Sequence, residues 1–174
     1  MNRSIFTPTF FVVTGIVVLA VVLRMLPHWP NFTPLAAMAL FAGTWMKRRE
    51  LAFAIPLAAM LISDIFLGFH QTMIAVYIGF ALIVLVGFYL RRNVKVHTVI
   101  MASLASSVIF FVITNFAVWM SGMVGYPMTA GGLVQCYVAA IPFFRNAILG
   151  DLLYNTIFFG SFYFATLRFP ALAR

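Results

Sequence analysis

Apolar runs of membrane-spanning length follow one another along almost the whole chain, and they constrain the fold before anything else does. A helix needs roughly 20 apolar residues to cross a hydrocarbon core ~30 Å thick. Six segments approach that length: about 8–25, 34–46, 51–69, 72–90, 96–122 and 143–167, the second of them short. The runs are continuously apolar and do not alternate, which selects helices over a barrel. The last stretch, 131–167, would be roughly 55 Å long as one helix, too long for one crossing. Pro142 is the natural break, because proline removes an amide donor and clashes with the preceding turn. Segment 133–141 then reads as an outer-surface or re-entrant piece, and 143–167 as the sixth span. The expectation is an all-α membrane protein, a six-transmembrane-helix bundle forming one domain over 1–174.

Composition excludes a soluble globular domain. The chain is 64% hydrophobic and 8% charged, against about 45–50% and 25% for soluble domains. The first span follows Arg3 as a signal peptide would, yet Arg24, Met25, Leu26 and Pro27 close it with no small-x-small cleavage pattern. A retained helix is expected.

Eleven Lys and Arg stand against three acids, a net charge of +8. Lys47, Arg48 and Arg49 lie between spans two and three. Arg91, Arg92 and Lys95 lie between four and five. Arg3 precedes the first span, and Arg168 and Arg174 follow the last. With six spans all of these fall on one side, while loops 27–33, 70–71 and 123–130 carry no Lys or Arg. Basic residues mark the cytoplasmic side, so both termini are expected there. Topology accounts for the charge without a nucleic-acid partner. Arg24 and Arg145 are left over.

A charge near the bilayer centre costs about 2.5–3.5 kcal/mol on insertion scales, so such groups face the bundle interior and pair, or line a site. Asp64 falls in the outer half of span three and Arg24 at the outer end of span one. Arg145 and Asn146 open span six, and His28, Asn31 and His70 sit in the outer loops. Asn115 and Trp119, four apart near the outer end of span five, share a helix face. These groups come from distant parts of the chain and converge on one depth, the pattern of a polar-lined cavity opening outward. Blander readings stand beside this one. Asp64 with Arg24 or Arg145 makes a structural ion pair, and Arg24 snorkels to headgroups. Trp119 joins an interfacial aromatic belt, and Cys136 is an inert small residue. Asp151, with Asn155 one turn on, either ties helices together or receives a partner protein. Ala39 and Gly43, Ala54 and Ala58, and Ser103 and Ser107 are small pairs spaced for close helix packing.

His-Glu-x-x-His, Walker A and Gly-x-Ser-x-Gly motifs do not occur in the sequence, and a single cysteine excludes an internal disulfide or a cysteine-cluster metal site. No cofactor and no enzymatic activity are expected, and the chain has no nucleotide site of its own.

Four strings are familiar: RMLPHWPNFTPLAAMALFAG at Arg24–Gly43, SDIFLGFH at Ser63–His70, TNFAVW at Thr114–Trp119 and PFFRNAILGD at Pro142–Asp151. Together they resemble a widespread family of small bacterial membrane proteins of unassigned function. That family is in turn similar to the substrate-binding S components of energy-coupling-factor (ECF) vitamin transporters, whose Gly-Asp-Leu pattern is matched by Gly150, Asp151 and Leu152. The resemblance implies a six-helix protein of the bacterial inner membrane that captures a vitamin or cofactor precursor in an outward pocket. Outer loops would roof that pocket. The implied partner is an ECF energising module, a coupling protein with ATPases, docked on an Ala-x-x-x-Ala face of helix one. Here helix one, Thr14 to Arg24, has no such pair, a departure shared with the solitary cobalamin-uptake type. For cobalamin, His70 or Cys136 would substitute as cobalt ligand, since stretch 70–77 holds no cysteine. The implied substrate contacts are Arg24, His28, Asn31, Asp64, His70, Asn115, Trp119, Arg145 and Asn146, with Asp151 as the docking residue. Two other functions fit the same residues: an accessory subunit without ligand, and a small membrane enzyme using Asp64, His70 and Cys136.

Overall fold

The computed structural model describes residues 7–173; the basic residues Arg3 and Arg174 lie outside them. Six α-helices follow in order: α1 Pro8–Met25, α2 Leu35–Trp45, α3 Arg49–Leu67, α4 Met73–Leu90, α5 Val96–Ser121 and α6 Ala130–Arg168, with a closing 3-10 turn at Pro170–Ala173. The all-helical fold matches expectation, and α1, α3, α4, α5 and α6 are each long and apolar enough to cross a membrane. Thr7 starts α1 by accepting the Phe10 amide on its hydroxyl, with Pro8 in the first turn where its missing amide costs nothing. The hydroxyl of Thr9 donates to the Leu172 carbonyl at 3.0 Å, so the two ends of the described chain meet at one end of the bundle.

The short helix α2 is the centre of the molecule. Every residue from Leu35 to Thr44 is buried. Its sequence has no polar face to turn outward, which suits a helix ringed on all sides by others. Phe41 meets the rings of Phe158, Phe159 and Phe162 of α6 edge-on, at centroid distances of 6.1, 5.2 and 5.5 Å. On its other side α2 touches α4 backbone to backbone, through Gly43 and Gly87.

A helix end inside a bundle leaves carbonyls without donors. Arg91, just past α4, supplies them for α2: Nη2 donates to the carbonyls of Gly43 (2.7 Å) and Met46 (2.5 Å), and Nε to that of Thr44 (3.1 Å). Burial, and after it the charge of Arg49, lower the Arg91 pKa from its usual value. The sequence marks Arg91 only as a topology signal; in the fold it is a C-terminal cap. Arg91→Ala is expected to destabilise the protein by about 2 kcal/mol, and Arg91→Lys, a point charge that replaces one bond of three, by about half that. Thermal unfolding in detergent measures both.

Pro142 does not break the last helix, contrary to expectation: α6 runs unbroken for 39 residues, and 133–141 is its beginning, not a separate surface or re-entrant piece. Proline removes one amide and frees one carbonyl, a loss that neighbouring helices offset in transmembrane settings. Here α5 grips α6 on both sides of it. Before Pro142, Tyr137 donates to the Val112 carbonyl (2.7 Å) and the Cys136 thiol to that of Asn115 (3.4 Å). After it, Phe144 stacks on Phe111 at 4.4 Å. α3 likewise continues through Pro56.

Candidate functional site

Because α2 is only 11 residues long, it spans roughly 16 Å at 1.5 Å per residue and begins part-way through the bundle. The space beyond its first turn is not filled. A cavity of about 550 Å³ lies there, with Leu35 and Ala36 of α2 in its lining and walls from the other five helices. Arg24, His28 and Asn31 line it from the end of α1 and the first loop, Met60 and His70 from α3 and the loop after it. Phe80 of α4, Phe110, Thr114 and Asn115 of α5, and Phe143 and Asp151 of α6 add further polar and aromatic lining. Five of the nine expected contact residues thus share one hollow: Arg24, His28, Asn31, His70 and Asn115.

The other four sit around it. Asp64 lies behind the wall, 1% exposed, with Oδ1 2.7 Å from Nη2 of Arg24. The Tyr77 hydroxyl donates to its Oδ2 at 2.8 Å. The second guanidinium nitrogen of Arg24 donates to the Ser63 hydroxyl, with the Met60 sulfur at 3.6 Å. One ion pair therefore ties α1, α3 and α4 together beside the cavity. Arg145 does not take part: it is exposed, and it makes no ion pair among the described residues. The choice between the two arginines is set by geometry, since Arg24 and Asp64 face each other across adjacent helices while Arg145 is exposed.

Asn146 holds the roof. Its Nδ2 donates to the Pro30 carbonyl at 3.1 Å, pinning loop 26–34 to α6. One turn on, Gly150 lets the backbone of Phe32 and Thr33 approach, since a Cβ there would lie 3.3 Å from each. Phe32 then packs against Tyr154 and Trp29, both at 5.9 Å. Asn31 takes a left-handed turn at φ 60, a conformation asparagine tolerates. The ring nitrogens of His28 lie 2.9 Å from the Trp29 carbonyl and 3.2 Å from that of Arg24, so this histidine holds its own loop. His70 meets the Thr72 hydroxyl at 3.1 Å on the exposed rim.

Trp119 is outside the lining: its indole N–H donates to the Pro127 carbonyl at 2.9 Å and fastens the loop between α5 and α6. Cys136 is also outside it, buried against α5. No group of three His, Cys, Asp or Glu side chains gathers among the described residues. Asp151, read from the sequence as a docking residue, is 4% exposed, packed against α5 at the edge of the cavity. The Ser107 hydroxyl donates to its Oδ2 at 2.5 Å. One turn along, Asn155 donates to the Ser103 hydroxyl at 3.0 Å. Tyr77 is the residue that the sequence does not flag, and Ser107 reads there only as half of a packing pair. A phenol inside an apolar run needs a partner when buried, and that is the one signal Tyr77 gives.

No curated protein and no solved structure matches the chain. A family model matches residues 4–172, nearly its whole length. The helical bundle with its hollow end is thus the structure of a member of DUF6580, a family of unknown function, to which this chain belongs.

Proposed function

We propose that the protein binds a small organic solute, of vitamin or cofactor-precursor size, in the cavity above α2 and carries it across a bacterial inner membrane. The observation that carries this reading is the cavity itself. Its volume of about 550 Å³ falls within the ~300–1,000 Å³ usual for ligand sites. Its lining is the usual mixture of aromatic walls with a few polar groups. A ligand-free accessory subunit has no use for such a space inside a bundle. The uncapped first turn of α2 lies at the floor and offers amide donors to an acceptor on the solute. Loop 26–34, pinned by Asn146, acts as the roof that must lift for entry.

In this reading the basic loops lie in the cytoplasm with both termini, and the cavity opens outward. The similarity of that family to S components, marked here by Gly150, Asp151 and Leu152, supports uptake as the direction. The missing Ala-x-x-x-Ala pair on α1 favours a carrier that works without an ECF module. Native mass spectrometry of protein purified from its own host tests the proposal. An unaltered small molecule is expected to co-purify, and Asn115→Leu with Thr114→Val, which remove polar lining, should lose it while Arg145→Ala retains it. Recovery of nothing from wild-type protein, or equal recovery from all variants, overturns the reading; a chemically altered molecule would make the protein an enzyme.

A further inference from the structure

The chain has three acidic residues. Glu50 is exposed and lies 3.7 Å from Arg48, and Asp64 pairs with Arg24. Asp151 is different. It is buried between α5 and α6 at the edge of the cavity, and no basic side chain lies within ion-pair distance of it among the described residues. Arg24, the cationic group that lines the cavity, is already neutralised by Asp64. A buried carboxylate without a counter-charge is costly enough that a cation or a proton must accompany it.

The surroundings of Asp151 are oxygen-rich. Ser107 touches its Oδ2 at 2.5 Å and lies 3.1 Å from the Ser103 carbonyl, the two acceptors competing for its one hydroxyl hydrogen. The Ser103 hydroxyl accepts from Nδ2 of Asn155. The other end of that amide, Asn155 Oδ1, is fully buried and has no donor. Asn155 is 2% exposed and lies one turn from Asp151 on the same face. Two separate features on neighbouring turns of one α6 face therefore ask for a positive occupant: a carboxylate without a cation and an amide oxygen without a donor. A proton neutralises the carboxylate; a small cation serves both oxygens at once.

We propose that Asp151, Ser107, Ser103 and Asn155 form a sodium site between α5 and α6, filled from the cavity. The donors are carboxylate, hydroxyl and amide oxygens, hard ligands that suit alkali and alkaline-earth ions. One carboxylate supplies one negative charge, which balances a monovalent ion, whereas calcium sites draw on several carboxylates and magnesium keeps most of its waters. Soft metals are disfavoured by the absence of sulfur and imidazole from this cluster. The site gives a protein without a nucleotide motif a way to draw on an ion gradient, because the ion and any solute would enter through the same hollow.

The sodium site is tested without any organic solute, so its outcome is independent of the carrier proposal. Purified protein in detergent is unfolded thermally in NaCl and in N-methyl-D-glucamine chloride at equal ionic strength and fixed pH. Sodium is expected to raise the midpoint saturably, by about 5 °C at a hundredfold excess over the half-saturating concentration. Asp151→Asn, which relieves the buried charge and so keeps the fold, should abolish the response. Ser107→Ala, which keeps the carboxylate, should raise the half-saturating concentration about tenfold. Equal midpoints in the two salts overturn the proposal, as does a sodium response that survives Asp151→Asn. A midpoint in wild-type protein that follows pH alone overturns it too, and assigns the carboxylate a proton.

Discussion

Arg24→Ala is expected to destabilise the protein by about 3–5 kcal/mol, the range for removing one partner of a buried ion pair. The loss goes beyond one contact. Asp64 is 1% exposed, and without the guanidinium its carboxylate keeps one donor, the Tyr77 hydroxyl. Ser63 loses the guanidinium donor at the same time and keeps only its own bond to the Met60 carbonyl, and α1 loses its polar tie to α3. The reverse change, Asp64→Asn, is expected to cost less, about 1–2 kcal/mol. The amide still accepts from Tyr77, and Arg24, whose side chain is 15% exposed, can turn its charge outward along a flexible stem. The double change Arg24→Met with Asp64→Leu should recover most of the stability, because two apolar side chains remove both the charge and its desolvation. Unfolding in detergent, monitored by tryptophan fluorescence, ranks the three. If Arg24→Ala unfolds with wild-type protein, the pair is solvated and the wall of the cavity is open there. If the double variant is worse than Arg24→Ala, the pair's worth is in its hydrogen bonds and not in charge compensation.

The helices are legible in the sequence because apolar runs of this length have one stable form in a bilayer. What lies between helices is legible only in part. Asp64 stands out as a charge in an apolar run, and its need for a cation is plain; that Arg24 and not Arg145 answers depends on which helices are neighbours. Ser103 with Ser107 reads as a packing pair, and Asp151 with Asn155 as a tie between helices. Each pair lies on one helix face. That the two faces are turned toward each other is a property of the α5–α6 contact, to which no residue spacing testifies. Asp151 for this reason reads as a docking residue from its position alone, although it is buried. The cavity has a similar origin. Its polar residues are visible one by one, but its existence follows from the shortness of α2, a central helix that stops before its neighbours do. Pro142 misleads in the opposite direction. A local rule marks a break there, and contacts to α5 on both sides of the proline, through Tyr137, Cys136 and Phe144, keep the helix whole.

Gly43→Ala is expected to destabilise the protein by about 2–3 kcal/mol even though alanine is the better helix former. In an isolated helix the change would gain about 1 kcal/mol. In this bundle the added Cβ would stand 2.4 Å from the Val84 carbonyl oxygen and 3.1 Å from Cα of Gly87, both backbone atoms of α4. Backbone cannot yield as a side chain does, so α2 and α4 must move apart. Between membrane helices close van der Waals packing is the main attraction, and separation forfeits it along the whole contact. The overpacking penalty of about 1–3 kcal/mol, at its upper end here, outweighs the gain in propensity. Gly87→Ala should behave alike, since its Cβ would meet the Leu40 carbonyl oxygen at 2.6 Å. Gly15→Ala in α1 is the contrast: nothing lies within 4 Å of the added carbon, and this variant should be neutral or more stable by up to about 1 kcal/mol. A displaced α2 also moves Leu35 and Ala36, its two residues in the cavity lining. Gly43→Ala should therefore shift both the unfolding midpoint and any binding measured at the cavity, whereas Gly15→Ala shifts neither downward. Matching midpoints for Gly43→Ala and Gly15→Ala would mean that α2 and α4 are not in backbone contact, and the central position of α2 would have to be given up with it.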